Sequence, residues 1–135
     1  GGASGVIFSS MFLGGVKGMG DIKELDGEAL YAAMADALTA IKRRGGAEVG
    51  DKTMVDALEP AVIAMDKADK EDIEAMLNAA VMAADKGVED TKQYIAKFGR
   101  AQYIGERAIG FQDAGATSVA IIFRAMRDYI KSIAV

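Results

Sequence analysis

The sequence lacks cysteine and histidine altogether, and each absence excludes a class of site. Without cysteine there is no disulfide and no thiolate metal ligand. Without histidine there is no Ser–His or Cys–His nucleophilic pair, no imidazole metal site and no phosphohistidine. Any phosphoryl group that this protein handles must therefore sit on a bound nucleotide or on a carboxylate.

A long uncharged apolar run is also missing. The longest, residues 5–16, is too short to span a bilayer, and no basic segment precedes it as in a signal peptide. The net charge is −4, and the cluster of Lys42, Arg43 and Arg44 is typical of a helix C-terminus, which argues against nucleic acid as a partner. We therefore predict one cytoplasmic domain over residues 1–135 that does not contact a membrane.

Apolar residues recur at helical spacing through most of the chain, and this pattern predicts an all-α class. We expect a helix after each candidate cap, with Pro60 kinking the second stretch or marking a late start, and a bend at Gly87 before a fourth stretch. The apolar run at residues 6–13 fits a strand or a helix, and we interpret it as a helix because no second strand is found. The five predicted helical stretches, each given by its periodic residues and, where one is found, the candidate cap before them, are Leu30, Met34, Leu38 and Ile41 after Asp26; Met54, Leu58, Val62 and Met65 after Asp51 or Thr53; Ile73, Met76, Leu77, Ala80, Val81 and Ala84 after Asp69; Val88, Thr91, Ile95 and Phe98; and Val119, Ile122, Met126, Tyr129 and Ile133.

Two glycine-rich segments lie early in the chain. In residues 1–5, Ser4 fits either a helix start that binds an anion or a plain tight packing start. Residues 45–53 nearly match a phosphate-binding P-loop, but Asp51 stands between the glycine and Lys52, and a helix rather than a strand precedes them. We reject the P-loop in favour of a helix–helix connection, which explains Asp51 and Thr53 but not Lys52 or Met54.

A third glycine-rich segment, residues 99–118, is a long connection with polar groups of its own, a feature typical of functional loops. Arg100 and Arg107 suit phosphate oxygens, or pair with local carboxylates such as Glu106. Asp113 fits either an acceptor for a ribose hydroxyl or the cap of the last helix.

Taken together, these segments resemble the nucleotide-binding L subunit of the dihydroxyacetone kinases. The motifs at residues 1–5, 50–54, 99–101, 105–107 and 112–118 occur in that family's order and at its spacing, and the similarity runs over essentially the whole chain. The resemblance implies a closed barrel of antiparallel amphipathic helices with ADP or ATP at one end. Because the chain begins at a glycine-rich segment and enters an apolar run at once, we expect the barrel to be incomplete at its N-terminus.

The resemblance also implies a kinase subunit that transfers a phosphoryl group from the nucleotide to dihydroxyacetone held by a partner subunit. The chain ends soon after its last helix, as the free-standing subunit does, which favours the form in which a phosphohistidine-carrying phosphotransferase subunit rephosphorylates ADP. We expect activity only with these partners and none from this chain alone.

The family pattern assigns phosphate contacts to Ala3 and Ser4, the base to Met54, and the catalytic offset of developing charge to Arg100. Ala114 stands where proline is usual in the family. The magnesium-binding carboxylates of the family lie upstream of residues 1–5, so no metal ligand is assigned here and Mg²⁺ is expected in the intact protein. The full set of nucleotide-binding residues is Ala3, Ser4, Gly45, Met54, Arg100, Asp113, Ala114 and Gly115.

Three alternatives stand beside this interpretation. A nucleotide-binding domain of the fatty-acid kinase type is disfavoured by residues 112–118. A non-catalytic interaction subunit that reports nucleotide state to a regulator stays open, because the same surface could serve both roles. A helical bundle without any ligand would fit only if the glycine-rich segments were distributed differently.

Overall fold

The structure, a computed structural model, describes residues 26–133, and the regular elements in that range are all helical. The predicted all-α class is therefore confirmed. The segment of residues 1–5 and the apolar run 5–16 lie outside the described residues. The elements are α1 (Gly27–Gly45), α2 (Val55–Lys67), α3 (Ile73–Asp90) and α4 (Ala114–Ile133), with 3-10 turns at Thr91–Gln93, Arg100–Tyr103 and Gly105–Ala108.

The first helix begins and ends at residues that the sequence marks clearly. The Asp26 carboxylate accepts a hydrogen bond from the backbone N–H of Ala29 (2.8 Å), which satisfies one of the free donors of the first turn. At the other end Gly46 takes a left-handed conformation (φ +71°) and donates its N–H to the carbonyl of Lys42 (2.9 Å). The cap of α3 is Asp72 rather than the suggested Asp69, since Asp72 accepts from the N–H of Ala75.

Helices that follow one another in the chain run antiparallel and pack around an apolar core. Helix α2 contacts α1, α3 and α4, and α3 contacts α2 and α4. Ion pairs join neighbouring helices at the surface, from Lys42 of α1 to Glu59 of α2 (3.1 Å) and from Arg124 of α4 to Asp85 of α3 (2.8 Å). None of the helices in residues 26–133 is long and apolar enough to cross a membrane. The largest fully buried apolar side chains are Phe123, Ile41, Leu58, Met65, Met76, Leu77, Val55 and Val119.

Gly87 lies inside α3 and does not separate two helices. The separate helix expected over residues 88–98 is therefore wrong, because α3 continues to Asp90 and is followed by a 3-10 turn and an irregular stretch. A Cβ atom at Gly87 would lie 2.0 Å from the carbonyl oxygen of Asp56 in α2. The glycine therefore serves the close approach of α3 to α2.

Pro60 lies within α2 rather than at its start. Because proline has no N–H, it cannot donate to the carbonyl of Asp56 four residues earlier. That same carbonyl faces Gly87. Pro60 of α2 leaves the Asp56 carbonyl without a helical donor, and Gly87 of α3 lets α3 pack directly against that carbonyl. This contact sets the spacing of α2 and α3.

Candidate functional site

Five of the predicted site residues lie at the end of the bundle where α2 and α4 begin, namely Gly45, Met54, Asp113, Ala114 and Gly115. A Cβ atom on Gly115, in the first turn of α4, would lie 3.4 Å from the Cβ of Met54, which precedes α2. The N-terminal ends of these two helices are thus in contact. Helix N-termini carry the positive end of the helix dipole, so this end of the bundle favours negative charge.

Asp56, in the first turn of α2, holds the end of the connection that leads into this helix. It is 1% exposed, and its two carboxylate oxygens accept from the backbone N–H groups of Gly50 (2.6 Å) and Thr53 (2.8 Å). The Thr53 hydroxyl in turn accepts from the N–H of Val55 (3.1 Å), so Thr53 and Asp56 together satisfy backbone donors at the start of α2. Burial raises the pKa of Asp56, and the hydrogen bonds from the backbone act against that rise. Sequence reasoning missed this residue, although the Thr-x-x-Asp spacing signals such a cap.

Asp51 fixes the same connection from its other side. Its carboxylate accepts from the N–H of Glu48 (2.9 Å) and pairs with the ammonium of Lys97 (2.9 Å). The bond from Lys97 is the main reason that the pKa of Asp51 falls below its ordinary value. Asp51 and Thr53 were the two candidate caps of α2, but the cap position is occupied by Met54, and the Thr53 hydroxyl accepts from Val55 one residue further on.

Lys52 is the residue that the sequence left unexplained. Its side chain is buried within the connection between α1 and α2, and its backbone is left-handed (φ +62°). The ammonium donates to the carbonyl of Ala108 (2.6 Å), in the connection between α3 and α4. Lys52 thus joins two connections that are 56 residues apart in sequence.

Asp113 caps α4, one of the two roles left open by the sequence. Its carboxylate accepts from the N–H of Ala116 (2.8 Å), and its own N–H donates to the hydroxyl of Thr91 (2.9 Å). Thr91 is fully buried and donates to the carbonyl of Val88, so it links the end of α3 to the start of α4. Burial raises the pKa of Asp113, and the negative charge of Asp56 raises it further.

A small apolar cavity of about 50 Å³ opens beside the start of α2. Gly45 and Met54, both predicted site residues, line it together, with Phe98 from the connection between α3 and α4. A Cβ atom on Gly45 would meet no other atom within 4 Å, so the glycine leaves open space. The complete lining is Ile41, Gly45, Ala47, Thr53, Met54, Val55 and Phe98.

For the remaining predicted site residues the structure shows fewer contacts or none. Ala114 is exposed and begins α4, directly between Asp113 and Gly115. Arg100 begins a 3-10 turn, and its side chain is not described. Ala3 and Ser4 lie outside the described residues. The binding roles assigned to all of these residues stay predictions.

Metal ligands are not grouped in the part of the chain that the structure covers. Within residues 26–133, no three carboxylates lie close enough together to hold a metal ion.

Comparison with known families and structures gives one consistent result. Residues 1–128 match the family model described as the DAK2 domain. The chain is 29% identical to the dihydroxyacetone kinase of C. freundii, whose crystal structure superposes with a TM-score of 0.66 over 96% of this chain and 21% of that one.

Curated relatives fall into two kinds. The ADP-binding subunit DhaL of a PEP-dependent dihydroxyacetone kinase from Listeria innocua is 39% identical over 128 residues, which are 93% of this chain and 59% of the subunit. The D-erythrulose kinase of Mycolicibacterium smegmatis is 35% identical over 132 residues, which are 96% of this chain and 23% of that protein. The chain thus spans about three fifths of the first relative and less than a quarter of the second.

Proposed function

The chain belongs to the DAK2 domain family, and from that premise we propose that it binds ADP or ATP as the nucleotide-carrying part of a kinase for short keto-sugars. The observation that carries the proposal is the convergence at one end of the bundle. An apolar cavity lined by Gly45 and Met54 lies beside the contacting starts of α2 and α4. An apolar cavity suits a nucleoside, and two helix N-termini suit its phosphates.

The apolar cavity has room for only part of a nucleotide. At about 50 Å³ it takes an edge of the base rather than the whole nucleoside, so the remainder would lie over the surface between α2 and α4. Gly115 allows the starts of α2 and α4 to lie close together, since a Cβ there would approach the Asp113 carboxylate to 3.1 Å and the Met54 Cβ to 3.4 Å. By the family pattern, Ala3 and Ser4 would contact the phosphates and Arg100 would offset charge that develops during transfer.

The proposed reaction transfers a phosphoryl group from the nucleotide to a hydroxyl group of the sugar. Such transfers depend on positioning and charge stabilisation rather than on covalent catalysis by the protein, which agrees with a chain that has no histidine or cysteine nucleophile. We expect Mg²⁺ to accompany the nucleotide, because phosphate charge needs compensation. Residues 26–133 contribute to the site through helix starts and apolar contacts.

We propose further that the sugar is held by a partner. The relatives are named as subunits of a PEP-dependent dihydroxyacetone kinase or as kinases of erythrulose, and this chain matches the ADP-binding subunit of the first. A substrate subunit and a phosphohistidine-carrying subunit would then complete the reaction. Dihydroxyacetone and erythrulose share the hydroxyketone end, so an assay of both sugars with the partner subunits decides between them.

Calorimetric titration tests the proposal most simply. We expect Mg-ADP to bind more tightly than AMP, and AMP more tightly than adenosine, because each phosphate adds contacts at the helix starts. Met54→Ala should weaken ADP binding at least tenfold, or about 1.4 kcal/mol. Met82→Ala is the matched control, since Met82 is 74% exposed on α3.

Two results would count against the proposal. Absence of ADP binding at millimolar concentration would reject nucleotide binding by this chain. Equal affinity for ADP and adenosine would reject the placement of the phosphates at the starts of α2 and α4. Circular dichroism of each variant is needed beside the titration, because truncating a buried methionine costs about 2–5 kcal/mol of stability.

A further inference from the structure

Lys52 combines two features that both disfavour the folded state. Among residues 26–133 it is the one residue other than glycine with a positive φ, at +62°, a conformation that side chains rarely adopt. It is also only 4% exposed, although it carries a charge. Strained backbone and buried charge persist where the surroundings enforce them, and they concentrate at functional sites.

The surroundings of the Lys52 ammonium make the burial unusual. Its hydrogen-bond acceptor is a neutral carbonyl, that of Ala108 at 2.6 Å, and not a carboxylate. A buried ammonium loses its hydration, and one carbonyl restores only part of it. The charge of Lys52 lowers the pKa of Asp113, against the larger effect of burial, although the two side chains share no hydrogen bond. Stability alone therefore gives a weak reason for a lysine at this position.

The acceptor of Lys52 belongs to a segment that leads directly to the candidate site. Ala108 ends the 3-10 turn Gly105–Ala108 and is itself buried. Beyond it, the N–H of Gly110 donates to the carbonyl of Lys92 (2.6 Å) and the N–H of Asp113 donates to Thr91. These two bonds tie the segment to the end of α3, whereas Lys52 ties it to the connection that leads into α2.

We propose that Lys52 is a positioning residue whose side chain holds residues 105–113 against the start of α2, and so sets Asp113 and Gly115 where a nucleotide is received. The inference rests on the proposed function of the site. Lys52 acts through the segment that it anchors. A lysine is long enough to cross between the two connections, and its charge strengthens the bond to the carbonyl.

The decisive variant is Lys52→Met, which keeps an unbranched side chain one atom shorter than lysine and removes the charge. Removal of the charge spares its desolvation but leaves the buried carbonyl of Ala108 without its donor, and these two effects on stability oppose each other. We therefore expect an unfolding midpoint close to that of the wild type, together with at least a tenfold loss of affinity for Mg-ADP. We also expect faster amide hydrogen exchange in residues 105–113 of the ADP-free protein, with α2 and α3 unaffected. Lys86→Met is the matched control, since the Lys86 side chain is 76% exposed on α3.

Chemical rescue separates the ammonium from the rest of the side chain. The sequence has no cysteine, so Lys52→Cys introduces a single thiol. Alkylation of the unfolded protein with 2-bromoethylamine forms a C–S bond, expels bromide and gives a side chain of lysine length that ends in an ammonium. After refolding, we expect the aminoethylated protein to regain ADP affinity and slow exchange in residues 105–113, and the unmodified Lys52→Cys protein to lack both.

The outcomes separate this inference from the proposed function. If the wild type does not bind ADP, the proposed function fails, and hydrogen exchange still decides whether Lys52 holds the segment. If the wild type binds ADP and folded Lys52→Met binds it equally well, the positioning role is overturned. Loss of stability in Lys52→Met without any change in the affinity of the folded protein would also overturn it, because a purely structural residue behaves in that way.

Discussion

Two adjacent glycines at the end of α1 lead to opposite predictions. Gly45 is the last residue of α1 and lines the apolar cavity, and a Cβ atom there would meet nothing within 4 Å. Gly46 follows with φ +71°, where any side chain is strained. We predict that Gly45→Ala weakens nucleotide binding without loss of stability, whereas Gly46→Ala lowers stability without weakening binding by the folded protein.

The size of each effect follows from the geometry. The cavity of about 50 Å³ is small, so a methyl group on Gly45, which lines it, would compete for space with a bound base. Crowding of this kind costs about 1–3 kcal/mol, and the Kd for Mg-ADP should therefore rise about tenfold in Gly45→Ala. Alanine in a helix is up to about 1 kcal/mol more favourable than glycine, which supports the fold. In Gly46→Ala the left-handed conformation costs about 1–2 kcal/mol.

Two measurements on both variants test this reasoning. Calorimetry gives the Kd for Mg-ADP, and urea unfolding followed by circular dichroism gives the free energy of unfolding. Wild-type affinity in a stable Gly45→Ala protein would show that the nucleotide does not enter the cavity. Weaker binding in Gly46→Ala than in Gly45→Ala would refute the assignment of the two glycines.

Further predictions concern the contacts around the site. Gly87→Ala should lower the free energy of unfolding by about 3 kcal/mol, because its Cβ would meet the Asp56 carbonyl at 2.0 Å, and urea unfolding with little change would contradict that contact. Thr91→Val should cost about 1–3 kcal/mol by leaving the N–H of Asp113 without its acceptor, whereas Thr91→Ser should retain most of the stability in the same assay. In a carboxyl NMR titration Asp113 should titrate above 3.8 and Asp51 below it, and the reverse order would contradict the stated burial and ion pairing. Because folding raises the pKa of Asp113, this residue stabilises the folded state below pH 3.8, and its contribution is lost as the pH rises through the pKa of the folded state. Because folding lowers the pKa of Asp51, that residue stabilises the folded state above pH 3.8, and its contribution is lost as the pH falls through the pKa of the folded state.

Local signals were enough to predict much of the helical structure. The apolar spacing and the capping Asp26 located α1, because both act over a few residues of the same helix. The signal at Gly87 was misread as a bend, because a glycine within a helical pattern looks the same whether it ends the helix or admits a neighbour. Only the approach of the Asp56 carbonyl, from another helix, distinguishes the two cases.

In the candidate site, too, some features could be predicted from the sequence and others depend on contacts between distant residues. Gly45 and Met54 were identified from the resemblance of the sequence to a family, and their shared cavity depends on packing that periodicity does not reveal. Lys52 was left unexplained because its partner, the Ala108 carbonyl, is 56 residues away and is a backbone group that no sequence motif marks. For Asp113, the sequence left open the choice between capping and ligand binding, and the bond from the N–H of Ala116 shows the capping role.

The central claim is that a nucleotide binds at the end of the bundle where α2 and α4 begin. The chain has eight methionines, so methyl-labelled methionine NMR during a titration with Mg-ADP tests it directly. The account predicts that the Met54 signal shifts with saturation, while the signals of the buried Met76 and the exposed Met82 on α3 stay in place. A titration in which ADP binds but leaves the Met54 signal unmoved would contradict the claim.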